Sequence, residues 1–188
     1  MLEHCHMHHP FSSLPQAELS RSARFSLKVA IGCIAIAILL NATLISSQAP
    51  LGMVSLSLCG NTLEAESIIN HWPQREKVLG AFSLGFDTLV LLAYGGWLSL
   101  VALQAGHRML AGKWSSRKNN IAWLAWLAAG CDLMENILTI AMMCGNTSSP
   151  VPQTTAFFLL AKVLFLAIVI LYCFAGFWLH SANTNSKP

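Results

Sequence analysis

Four runs of apolar residues, none alternating with a period of two, organise this chain; they lie at about 29–46, 78–103, 121–144 and 155–179. About 30 Å of hydrocarbon takes roughly 20 helical residues to cross, so each run predicts a membrane-spanning helix. A closed barrel would need short alternating strands, which leaves helices as the way to satisfy backbone groups in lipid. The expected fold is all-α, an integral membrane four-helix bundle forming one domain over 29–180. Residues 1–28 are expected to be a disordered cytoplasmic tail, and 181–188 a second, shorter one.

Composition agrees. Hydrophobic residues make up 55% of the 188 and charged residues only 10%, against about a quarter charged in a soluble domain. Mean hydropathy is +0.57. A net charge of +3 is too small to suggest a nucleic-acid partner, and the expected partner is the lipid bilayer itself.

The basic residues report orientation instead. Arg21, Arg24 and Lys28 precede the first span, and "QAGHRMLAGKWSSRKNN" between the second and third holds Arg108, Lys113, Arg117 and Lys118 without an acid. The first connection sets Glu64, Glu66 and Glu76 against Arg75 and Lys77, and the third, "GNTSSPVPQ", carries no charge. The positive-inside rule then puts both termini in the cytoplasm, as expected for a multi-pass protein of the cell inner (plasma) membrane. Trp97, Trp114, Trp123, Trp126 and Trp178 lie toward one set of helix ends, as interfacial aromatics do. Pro50 directly after Ala49 disfavours signal cleavage, so the first span is read as uncleaved.

Within the outer connection, Asn61 and Glu64 form a capping pair that opens a short helix, "LEAESIINHW", which Pro73 stops. "CGNT" occurs at 59–62 and 144–147, and "KVL" at 77–79 and 162–164, with one common offset. Chance and a two-helix duplication both account for this.

The third run carries Asp132, Glu135, Asn136 and Thr139 at i, i+3, i+4 and i+7, one face of a helix. Asp87, with Ser83 and Tyr94 on its face, Lys162 and Asn41 are expected at similar depth in the other three spans. An unpaired carboxylate in hydrocarbon costs at least about 2.5–3.5 kcal/mol, so these groups are expected to face inward and meet. Three acids against one lysine leave at least one carboxylate without a cationic partner, a place where a proton can be held and exchanged. The competing reading is helix association, with each hydrogen bond worth about 1–2 kcal/mol or less. The D-x-x-E-N run in "CDLMENILT" resembles small bacterial four-helix membrane proteins of no assigned activity, and that resemblance implies no function.

Two further features carry ligand chemistry. His4, Cys5, His6, His8 and His9 in "MLEHCHMHHPF" offer donors suited to copper, zinc or nickel, although the spacing is too tight for a closed zinc site. The alternative is a His-containing tail with no ligand. Cys59 and Cys144 fall in the two outer connections, where an oxidising compartment would allow a disulfide. There is no G-x-S-x-G, no H-E-x-x-H and no phosphate-binding glycine loop, so an enzyme is disfavoured and no cofactor is expected. The function expected is binding or transfer of a proton, cation or small polar solute by the Asp/Glu/Asn/Lys cluster. Four spans are few for a transporter, so a homodimer or larger membrane complex is expected. The alternative is an accessory or scaffold subunit in which the same residues dock a partner helix.

Overall fold

The protein is described by a computed structural model at residues 9–109 and 113–185. A 3-10 turn at Pro10–Ser13 leads into α1 (Gln16–Ala42), followed by α2 (Met53–Leu58), α3 (Thr62–His71), α4 (Gln74–Arg108), α5 (Lys113–Ser116), α6 (Lys118–Met143) and α7 (Val151–Asn185). There is no strand among the described residues. Four of these helices, α1, α4, α6 and α7, are long and apolar enough to cross a membrane, as a multi-pass membrane protein requires.

The span boundaries differ from the expected ones in an instructive way. Hydropathy marks the part of a helix matched to lipid, whereas backbone hydrogen bonding continues through polar residues beyond it. Thus α1 starts at Gln16, just after Pro15, and much of the tail expected to be disordered is helical. Leu19 and Ala23 are buried in the core. The 35 residues of α4 run about 52 Å, well past the hydrocarbon thickness. At its start Pro73 has no amide hydrogen to lose, and Glu76 in the first turn complements the helix dipole.

Helix α4 is the hub. It packs against α1, α6 and α7, and α6 also packs along α7. Half of the most apolar stretch of α4 is buried, against 6% for α1. The first helix therefore leans chiefly on α4 and turns most of its surface outward. Close approach of α4 to α7 depends on Gly176, where an added Cβ would lie 2.7 Å from Ala105 Cβ and 2.9 Å from the Ala105 carbonyl oxygen. Small residues at such crossings let membrane helices gain van der Waals contact.

The short helices α2 and α3 build a cap over one end. Asn61 Oδ1 accepts from the Glu64 backbone N–H at 2.9 Å, the capping contact expected from sequence, and α3 ends before Pro73. The indole of Trp72, 3% exposed, donates to the Leu44 carbonyl at 3.2 Å. The turn before α2 needs Gly52, whose φ of +61° suits glycine; a Cβ there would also strike Asn41 Oδ1 at 2.6 Å.

The cap and the α6–α7 connection are joined by hydrogen bonds. Thr62 donates to the Thr147 carbonyl at 2.8 Å, and Thr147 Oγ1 to Glu66 Oε1 at 2.9 Å. The bridge that the sequence allows between Cys59 and Cys144 is not formed, and both are free thiols. Cys59 is buried in the cap core, its thiol donating to the Leu56 carbonyl at 2.8 Å, while Cys144 is exposed where α6 ends. Burial pushes the Cys59 thiol up to about 11. Since the thiolate is the reactive form, maleimide applied to membranes near pH 7.5 is expected to modify Cys144 and to spare Cys59 until the protein is denatured. Peptide mapping checks this, and a Cys59–Cys144 cross-linked peptide would contradict it.

The recurring "KVL" triplets do not occupy equivalent places. Lys77 lies in the first turn of α4 and Lys162 about three turns into α7, which gives a two-helix duplication no support.

Candidate intramembrane polar site

Burial along α6 follows the helical repeat. Asp132, Glu135, Asn136 and Thr139 are buried, while Leu133, Met134, Ile137 and Ile140 are exposed. The polar face points into the bundle, as its spacing predicts.

Lys162 on α7 reaches two of these carboxylates. Its Nζ lies 2.6 Å from Asp132 Oδ1 and 2.5 Å from Glu135 Oε2. Both acids come from one face of α6, three residues apart, so a single ammonium between them neutralises each in part. These are the only ion pairs among the described residues. The second Asp132 oxygen accepts from the Tyr94 hydroxyl of α4 at 2.8 Å. Three helices are thus linked through one carboxylate, with Tyr94 and Lys162 fixing its orientation.

Asp87 on α4 stands apart from the lysine. Its Oδ2 accepts from Asn136 Nδ2 at 2.8 Å, its one hydrogen bond among the described residues. The amide must present nitrogen to this carboxylate, which leaves the Asn136 carbonyl oxygen directed elsewhere. Thr139 donates to the Glu135 carbonyl at 2.8 Å, and the Ser57 and Thr139 hydroxyls meet at 3.3 Å. That contact brings α2 down onto the site.

A cavity of about 280 Å³ lies beside these groups. Its polar wall holds Asp87, Asp132, Glu135, Asn136 and Lys162, and its apolar wall includes Ile34, Ala37 and Ile38 of α1 with Val54 of α2. Two apolar clusters flank the polar layer, one at the α2–α3 end and one toward the opposite end.

Of the residues expected to share this layer, Asp87, Asp132, Glu135, Asn136, Lys162 and Tyr94 are brought together. Asn41 is a partial exception. Because α1 ends at Ala42, it sits in the last turn, accepts from the Met53 backbone N–H at 2.8 Å and donates to the Leu51 carbonyl at 3.1 Å. It lines the cavity but serves to hold the turn that starts α2. Ser57 was not anticipated. It lies in a six-residue helix inside a stretch read as a connection, and the apolar run "MVSLSL" after Pro-Leu-Gly is the signal that marks it.

The metal-binding tail receives no support from the one member described. His4, Cys5, His6 and His8 lie outside the described residues. His9 is buried against Trp123, ring centroids 5.2 Å apart, and its Nδ1 accepts from the Phe11 backbone N–H at 3.3 Å. Burial holds its pKa below the usual histidine value. Among the described residues no group of three His, Cys, Asp or Glu side chains is placed to hold a metal ion.

Chemically, the site offers oxygen acceptors in excess of donors, among the long apolar helices and beside a cavity. Compared with family models, curated proteins and solved structures, the chain matches none.

Proposed function

We propose that this chain is an inner-membrane protein, both termini cytoplasmic, that binds a proton, cation or small polar solute at the Asp87–Asn136–Asp132–Lys162–Glu135 cluster. One observation carries the reading: three carboxylates and a single lysine, which pairs with two of them, line one cavity among the long helices. Lys162 is committed to Asp132 and Glu135, and the one hydrogen bond Asp87 receives among the described residues comes from a neutral amide. A positively charged or hydrogen-bond-donating solute completes that arrangement, whereas an anion meets net repulsion. Orientation rests on the Lys and Arg distribution, and the small number of spans favours a homodimer or larger complex.

Cation-dependent stability tests this. The purified protein is expected to rise in Tm with at least one of proton, sodium, potassium, ammonium or methylammonium. Asp87→Asn, present in the membrane at wild-type abundance, is expected to lose that rise. A wild-type Tm indifferent to all five, with Asp87→Asn and Glu135→Gln lowering abundance only, would mean that the cluster merely joins helices.

A further inference from the structure

The cavity has two unlike walls, and together they define a ligand more narrowly than charge alone. On the polar side are acceptors without donors of their own. Asn136 is 5% exposed, gives its amide to Asp87, and lines the cavity with no hydrogen bond to its carbonyl oxygen among the described residues. Asp87 has a second oxygen with no hydrogen bond among the described residues. The Lys162 ammonium, the one strong donor present, is taken up by Asp132 and Glu135.

Facing them are Ile34, Ala37 and Ile38 of α1 with Val54 of α2, while Leu84 and Val90 flank Asp87 on α4. Ile34 and Ile38 are 39% and 64% exposed even though they line the cavity. They belong to α1, which packs chiefly on α4 and is mostly exposed along its apolar stretch, so this side of the cavity opens toward the bundle's outer surface. A bare metal ion fits poorly. It must shed its water against an apolar wall, and no three-residue donor group for a metal is present among the described residues. A ligand with an ammonium head and an apolar body satisfies both walls. At about 280 Å³ the space lies near the lower end of ligand pockets, enough for the head and first carbons, with a longer tail left along α1.

Resting on the binding role proposed above, we propose that the site takes a lipophilic amine, a protonated nitrogen on an alkyl or similarly apolar body, entering sideways from the bilayer beside α1. The ammonium donates to Asp87 and to the Asn136 carbonyl, and the body lies against Ile34, Ile38 and Val54.

The test uses the full chain in phosphatidylcholine nanodiscs and a dodecylamine carrying a diazirine on its tail. Cross-links are expected at Ile34, Ile38 and Val54, displaced by dodecylamine but not by dodecanol. Asp87→Asn is expected to weaken that competition by about tenfold or more. Ile38→Trp, which leaves the polar wall intact and fills the opening, is expected to abolish labelling at Val54. Equal competition by dodecanol, or labelling unchanged in both variants, would overturn the proposal. Binding of methylammonium as tightly as dodecylamine would reject the lipophilic ligand while retaining a cation site. No binding of either amine, with no cation effect on Tm, would remove both.

Discussion

Lys162→Met is expected to strip most of the protein from the membrane and to lower the Tm of what remains by about 6 °C or more. The ammonium touches two carboxylates that are themselves nearly inaccessible, with side-chain exposures of 16% for Lys162 and 6% for each acid. Removing it strands both acids three residues apart on one helix face. Breaking a buried pair by deleting one partner typically costs about 3–5 kcal/mol, a large share of the roughly 5–15 kcal/mol that holds a typical domain together. For a chain of this length each kcal/mol corresponds to about 2–4 °C. A charge-free replacement of the whole set should behave differently, because a buried ion pair and a well-packed neutral substitute are close in energy. Lys162→Met combined with Asp132→Asn and Glu135→Gln is therefore expected to regain most of the lost abundance and Tm. Membrane abundance and thermal melting in mild detergent check both statements. A single variant melting within about 2 °C of wild type would show that the pair contributes little.

Gly176→Leu is expected to separate α4 from α7, and Gly176→Ala to cost about 1–3 kcal/mol. The obstacle is largely backbone: a Cβ would sit 2.9 Å from the Ala105 carbonyl oxygen and 3.0 Å from its Cα, atoms that no side-chain rotation can move. Gly130 supplies the control. It too lies in a membrane-spanning helix, but a Cβ there meets nothing within 4 Å. Gly130→Ala is expected to be neutral or slightly stabilising, since alanine is favoured over glycine within helices by roughly 1 kcal/mol. Melting temperatures of the three variants separate a packing effect from a propensity effect. Equal Tm values for Gly176→Ala and Gly130→Ala would refute the close crossing.

The sequence made the spans legible because hydrocarbon imposes a length and a hydropathy on any helix that crosses it. It did not reveal where the helices end, since Gln16–Ala42 passes from "QAELSRSARFSLK" into lipid-matched residues without any break in hydrogen bonding. The inward face of α6 was legible for a related reason: i, i+3, i+4 and i+7 define a face whatever the helix packs against. Which partner each acid meets depends on how α4 and α7 are rotated about their own axes, and one-dimensional periodicity carries no such angle. Hence Lys162 bridging Asp132 and Glu135, and Tyr94 fixing Asp132, emerge only in three dimensions. Asn41 shows the opposite limit. Its distance along the chain suggested a place in the polar layer, but α1 stops soon after it and its amide is spent on the backbone of the next turn.

That amide has a mechanical consequence. Asn41 holds Leu51 and Met53 at once, so it rivets the C-terminal tip of α1 to the chain entering α2. A tilt of that tip away from α4 must pull the start of α2 along with it. The doorway toward lipid and the lintel above it are one piece, and widening the first raises the second.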